Sequence, residues 1–239
     1  MSSIFAVVEQ FEKLCLSNFM QEIKALIEKE IRLEWRQRYA LNGMLLYIVS
    51  TVFVCYMSFT LKTKGIEPIT WNTLFWIILL FTAVNSITKS FTQERAGRQL
   101  YYYTLASPQG IILSKIIYNI FLLLALSSVG FVVYAGVMGN PVQNLGMYLT
   151  GIVLGAIGFS STLTMVAGIA SKAENTSTLM AVLSFPIILP MLLMLIRLSK
   201  NATDGLEWNT SYDEILTLLG IDAIVMALSY LLFPYLWRS

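Results

Sequence analysis

Six apolar runs, near residues 43–61, 70–91, 111–138, 144–170, 178–198 and 214–237, alternate with short polar connections. Each holds about 20 residues or more, the length that crosses roughly 30 Å of hydrocarbon at 1.5 Å per residue. A backbone in lipid must satisfy its own N–H and C=O groups, so all six are expected as helices. Gly139-Asn140-Pro141-Val142-Gln143 is a turn signal that predicts an antiparallel hairpin of the third and fourth spans.

Ahead of the first run the pattern is different. Residues 1–20 hold an apolar stretch interrupted by Glu9, Glu12 and Lys13, too short for a span or a signal core, and read as a peripheral extension. Met20 is a candidate native start. From Gln21 to Arg38, Ile23, Ile27, Ile31 and Trp35 recur every four residues beside Leu26, with Lys24, Glu28, Arg32 and Arg36 on other faces. That pattern fits a helix lying in the membrane interface, with Trp35 at headgroup depth; a solvated helix packed on a partner is the alternative. The expected organisation is therefore an extension (1–20), an interfacial helix (21–38) and a six-span domain (39–239).

Composition agrees: 56% of residues are hydrophobic, 13% are charged and the mean hydropathy is +0.69, whereas soluble domains carry about 25% charged residues. Of the 16 Lys and Arg, only Lys62, Lys64, Arg197 and Lys200 fall on one side of the alternating spans. The positive-inside rule then puts both termini and the connection at 93–110 in the cytoplasm. On the far side, Lys62–Ile69 is a short loop and Ser199–Asp213 a longer polar one, with Asp204-Gly205 as a turn and Trp208 and Tyr212 as interfacial anchors.

Catalytic chemistry is not encoded in any recognisable form. There is no histidine, no Walker A segment, no HExxH and no CxxC, so neither ATP hydrolysis nor an imidazole metal site is expected of this chain. No nucleic-acid signature occurs either. Asp222 is the clearest intramembrane acid, open to two readings: a functional charge within the bundle, or a residue near the far interface two turns past Asp213-Glu214. The fourth span carries Gly146, Gly151, Gly155, Gly158 and Gly168, which predicts a helix inside the bundle, with dimer contact as the minority reading of its GxxxG. Pro186 and Pro190 are expected to bend or unwind the fifth span, as a moving element or as a static kink.

The polar, Tyr-rich connection from Gln93 onward remains. Glu94, Arg95 and Arg98 make a charged entry, Gly97 allows a break, Leu100–Leu105 reads as a short amphipathic helix, and Ser107-Pro108 can cap and start the next span. Such a helix on a connection has nothing to bury against unless a partner supplies a groove.

Glu94, Gly97, Leu105, Ser107 and Pro108, followed by Lys115 and a span, resemble the second cytoplasmic connection of ABC-2-type permeases. More narrowly, with the basic helix before the first span and the Pro186/Pro190 segment, the chain resembles the heme exporter protein B family, the permease of the cytochrome c maturation ABC transporter, over about residues 21–237. Tyr101-Tyr102-Tyr103 departs from the more aliphatic and acidic residues of that family.

The resemblance implies an all-α integral membrane protein with six transmembrane helices, in a bacterial inner membrane. It implies a non-catalytic subunit that works with a second copy of itself and with separate ATPase chains carrying ATP and Mg. It also implies a heme-handling membrane subunit, a small single-span subunit and a periplasmic heme chaperone as partners. By the resemblance, Glu94, Gly97, Leu105, Ser107 and Pro108 couple the ATPase to the membrane domain. Heme is the implied substrate, with no binding residue assigned; without histidine its iron is left with Met, Tyr or Cys, or with apolar enclosure and Lys or Arg at the propionates. An ABC-2 exporter of lipid, polysaccharide or drug-like molecules and a membrane assembly factor are the competing readings.

Overall fold

The computed structural model describes the backbone of residues 2–36, 38–60, 66–92, 107–170 and 176–238, and the side chains within them except at 2–18, 38–40, 60, 91–92, 176–178, 181 and 236–238. The described elements are helices α1 (Ser2–Arg36), α2 (Arg38–Thr60), α3 (Pro68–Thr92), α4 (Pro108–Met138), α5 (Leu145–Ala170), α6 (Thr176–Thr203) and α7 (Tyr212–Arg238), with a 3₁₀ turn at Trp208–Ser211. Helices α2 to α7 contain the six segments long and apolar enough to cross a membrane. The expected all-α six-span class is therefore the observed one.

Two boundaries differ from those read along the chain. Helix α1 does not begin at Gln21; it runs back to Ser2, and no glycine or proline interrupts residues 2–36. At the other end, α6 continues through Ser199 to Thr203, so the polar loop begins at Asp204. Polarity misled here because Ser199 and Thr203 satisfy themselves on the helix, donating to Leu195 O (2.6 Å) and Lys200 O (2.7 Å). The helix stops where Gly205 takes φ +71° and Leu206 N bonds Asn201 O at 3.0 Å, the closure expected of a left-handed C-terminal glycine.

Pro186 and Pro190 do not unwind α6, which is helical over its whole length. Both rings lie on its exposed face beside Val182, Phe185 and Leu189, where they crowd no neighbouring helix.

Helix α5 is the axis of the bundle, with 83% of its most apolar window buried. Its glycines make that possible, because each admits a different neighbour. A Cβ on Gly155 would sit 2.6 Å from the Trp76 ring of α3, and one on Gly158 would meet Met191 of α6 and Asp222 of α7. One on Gly168 would sit 2.9 Å from Phe233 of α7. Lipid offers no hydrophobic drive between helices, so close approach and hydrogen bonds must hold them together.

Around the N-terminal half of α5, Trp71, Phe75 and Trp76 of α3, Phe131 and Tyr134 of α4, and Tyr148 and Phe159 of α5 stack with ring centroids 4.7–6.3 Å apart. Two of the rings and the adjacent Asn72 are bonded between helices: Trp76 Nε1 donates to Ser199 Oγ (2.7 Å), Tyr134 Oη to Trp71 O (2.9 Å) and Asn72 Nδ2 to Ile196 O (3.0 Å), whereas Trp71 Nε1 is buried without a hydrogen-bond partner among the described residues. The space left between Trp76, Phe159 and Gly155 is about 10 Å³, so this half is packed solid.

Gly151 and Gly155 separate packing from sequence pattern. A Cβ at Gly151 finds its nearest neighbours at 3.6–3.9 Å, ordinary contact, so Gly151→Ala keeps or raises the melting temperature of the purified protein. Gly155→Ala must displace a buried Trp ring and costs about 1–3 kcal/mol, read as a lower melting temperature in the same detergent.

Candidate functional site

The site is built where α1 meets the start of α4, directly after the connection at 93–106. Ser107 is the N-cap of α4, with extended backbone (φ −72°, ψ 140°), and its hydroxyl accepts from Gly110 N at 3.1 Å; Pro108 follows at the first helical position. In a capping box the third helical residue is Glu or Gln and reaches back to the N-cap N–H. Here that residue is Gly110, which has no side chain to offer. Glu22 of α1 takes its place: Oε1 accepts from Ser107 N at 2.6 Å and from Ser107 Oγ at 2.9 Å.

Gly110 is required for this approach, since a Cβ there would lie 2.7 Å from Glu22 Oε1. The carboxylate also sits at the positive end of α4, an arrangement worth roughly 0.3–1 kcal/mol at an exposed site.

A second rung lies eight residues further along each helix. Lys115 of α4 is 3% exposed and its Nζ donates to Glu30 Oε1 at 3.2 Å, an oxygen also approached by Lys29 Nζ at 3.0 Å. Glu22 pairs with Ser107 and Glu30 with Lys115, so α1 and α4 run parallel and in register for about 12 Å. Leu26 fills the interval, packing against Ile111, Ile112 and Ile116. The interface is therefore the edge Glu22, Leu26, Glu30, whereas Ile31 and Trp35 of the expected apolar stripe are exposed.

Glu94, Gly97 and Leu105 lie outside the described residues. Ser107 and Pro108 are at the junction; Pro186, Pro190 and Asp222 are elsewhere. Asp222 is buried where α5, α6 and α7 meet, against Gly158 and Met191, and neither carboxyl oxygen has a hydrogen-bond partner among the described residues. Gly158 is midway along α5, so Asp222 is level with the middle of the bundle. Among the described residues no three His, Cys, Asp or Glu side chains converge to hold a metal. A groove of about 700 Å³ opens between α2, α3 and α6, walled by Met44, Tyr47, Phe81, Met180 and Phe185, with Lys89 at its margin.

Residues 21–235 match the CcmB protein family. The chain belongs to that family. No curated protein and no solved structure shows a significant match. CcmB membership makes the chain a permease-type membrane component of the heme exporter ABC system of cytochrome c maturation. The match begins at Gln21, one residue before Glu22, so it includes both rungs of the α1–α4 ladder.

Glu22 and Glu30 were not singled out in the sequence, and Lys115 was read there only as a flanking positive charge. Their eight-residue spacing, repeated between Ser107 and Lys115, is the signal that could have paired them.

Glu30 neutralises the buried ammonium of Lys115 and shares the same oxygen with Lys29. Glu30→Met takes the carboxylate from both lysines and destabilises the protein by about 3–5 kcal/mol, Lys115→Met costs less because Lys29 still neutralises Glu30, and the double change to Met restores part of the Glu30→Met loss. Thermal unfolding of the three variants in detergent checks this, and strict additivity would contradict it.

Proposed function

We propose that this chain is the permease subunit that turns ATP hydrolysis by a separate ATPase chain into heme delivery for c-type cytochrome assembly. The heme exporter system comes from family membership; the coupling route is inferred from the α1–α4 junction. The connection at 93–106, with Glu94, Gly97 and Leu105, is the surface the ATPase grips, and the Lys and Arg bias puts it in the cytoplasm with both termini. Ser107 and Pro108 are where its displacement enters the membrane domain.

One observation carries this reading: the Glu22 carboxylate holds both the N–H and the hydroxyl of Ser107. A pull on the connection therefore moves α1 and α4 together. The aromatic half of the bundle, packed around Trp76, resists the same motion. Heme meets this chain, in this account, along the α2/α3/α6 groove. Its size is within the range of about 300–1,000 Å³ usual for ligand sites. Met44, Met180 and Tyr47 are the ligand types left when histidine is absent, and Lys89 suits a propionate.

The test is Glu22→Ala in the assembled complex, with ATPase rate and holocytochrome c formation measured together. Loss of two charge-assisted hydrogen bonds is expected to lower cytochrome formation about tenfold while the ATPase rate and assembly persist. Unchanged cytochrome formation would overturn the coupling role of the junction. Normal holocytochrome in a strain lacking the chain would instead remove heme delivery itself.

A further inference from the structure

The α1–α4 ladder has a third position, and it is open. Glu34 of α1 comes level with Tyr118 of α4, four and three residues beyond the Glu30–Lys115 rung. Glu34 Oε1 and the Tyr118 hydroxyl are both buried, and neither makes a hydrogen bond among the described residues. The phenol faces the carboxyl closely enough to favour its charged form, as a hydrogen bond between them would, but the two do not meet at full hydrogen-bond distance and angle. Burial raises the Glu34 carboxyl above its usual range; Tyr118 and Lys89 offset part of that rise and Glu30 adds to it. Tyr118 and Lys89 are this chain's own groups acting on the carboxyl, and a primary ammonium entering from the groove would add N–H donors that reach the Glu34 and Tyr118 oxygens together.

Beside them α1, α2 and α4 enclose a groove of about 430 Å³, walled by Ile31, Trp35, Leu41 and Phe121 together with Glu34 and Tyr118. Its depth follows from the length of α4. At 31 residues, α4 is about 46 Å long, some 16 Å more than a hydrocarbon core of about 30 Å. Ten residues separate Pro108 from Tyr118, about 15 Å of rise, so with this overhang on the Pro108 side Tyr118 and Glu34 come to the boundary between headgroups and acyl chains. Trp35, on the rim and 70% exposed, has the residue type favoured at that depth. An apolar trough opening on the bilayer and closed at its polar end by an acid and a phenol fits an amphiphile with a cationic donor head.

We propose that this groove binds one phospholipid with a primary-amine headgroup, its ammonium donating to Glu34 and Tyr118 and an acyl chain lying along Ile31, Trp35, Leu41 and Phe121. A headgroup that carries only negative charge meets the Glu34 carboxylate unfavourably, and a quaternary amine has no N–H to donate. The ligand would brace α1 against α4 at the membrane surface, one turn beyond the rung made by Glu30 and Lys115.

Native mass spectrometry of the full-length chain tests this after exchange into detergent with equal phosphatidylethanolamine, phosphatidylcholine and phosphatidylglycerol. The expected result is one retained phosphatidylethanolamine, favoured about tenfold over either competitor. Glu34→Gln removes the preference, and Ile31→Trp, which fills the groove and leaves the carboxyl in place, lowers retention of all three. Equal retention of phosphatidylethanolamine and phosphatidylcholine by the unaltered chain would overturn the proposal, as would an undiminished preference in Glu34→Gln.

Discussion

Helix α4 cannot close its own N-terminus. Its third residue is Gly110, so the return half of the capping box must come from elsewhere, and it comes from Glu22 on another helix. Several features depend on that bond. It sets the register of α1 along α4, and that register brings Glu30 to Lys115, whose buried ammonium it neutralises. The cap is also the first described residue after the connection at 93–106. Whatever strains that connection acts first on a hydrogen bond shared by two helices.

The opposite half of the bundle has another character. Glycines at 155 and 158 let α5 approach α3, α6 and α7 closely, and seven aromatic rings in contact fill the space among α3, α4 and α5. Interiors packed in this way shift between discrete arrangements more readily than they deform. On the proposed coupling route, a junction held by polar bonds at one end and a packed aromatic block at the other would let α4 act as a lever. A cap is worth about 0.5–2 kcal/mol and a broken buried pair about 3–5, so the cap is the weaker of the two α1–α4 rungs. Asp222, whose carboxyl oxygens have no hydrogen-bond partner among the described residues, lies buried against Gly158.

The six spans, the place of α5 inside the bundle and the Ser107-Pro108 start of α4 were legible in the sequence because each follows from a local rule: hydrocarbon thickness, small-residue spacing, cap chemistry. The exact ends were less so. Ser199 and Thr203 look like loop residues until their hydroxyls are seen bonded back to their own helix, and of the two outcomes expected of the proline pair, unwinding is not what the continuous helix shows. The Glu22–Ser107 bond joins residues 85 positions apart, and no local pattern announces it. The stripe of Ile23, Ile27, Ile31 and Trp35 marks an apolar side of α1, with Ile23 buried and Ile31 and Trp35 exposed, but it does not announce that Glu22 and Glu30 on another edge bond α4. Of the residues expected to couple an ATPase, Ser107 and Pro108 are described at the junction, while Glu94, Gly97 and Leu105 fall outside the described residues.

The central claim is that α1 and the start of α4 move as one body. Spin labels at Ala25 and Gln109 span the junction without replacing a residue that makes it, and a second pair at Ala25 and Val182 runs from α1 to α6. In the complex with its ATPase, pulsed electron paramagnetic resonance should show the first distance unchanged between nucleotide-free and ATP-bound states while the second shifts. If the Ala25–Gln109 distance changes as much as the Ala25–Val182 distance, the junction is not a rigid link and the account is contradicted.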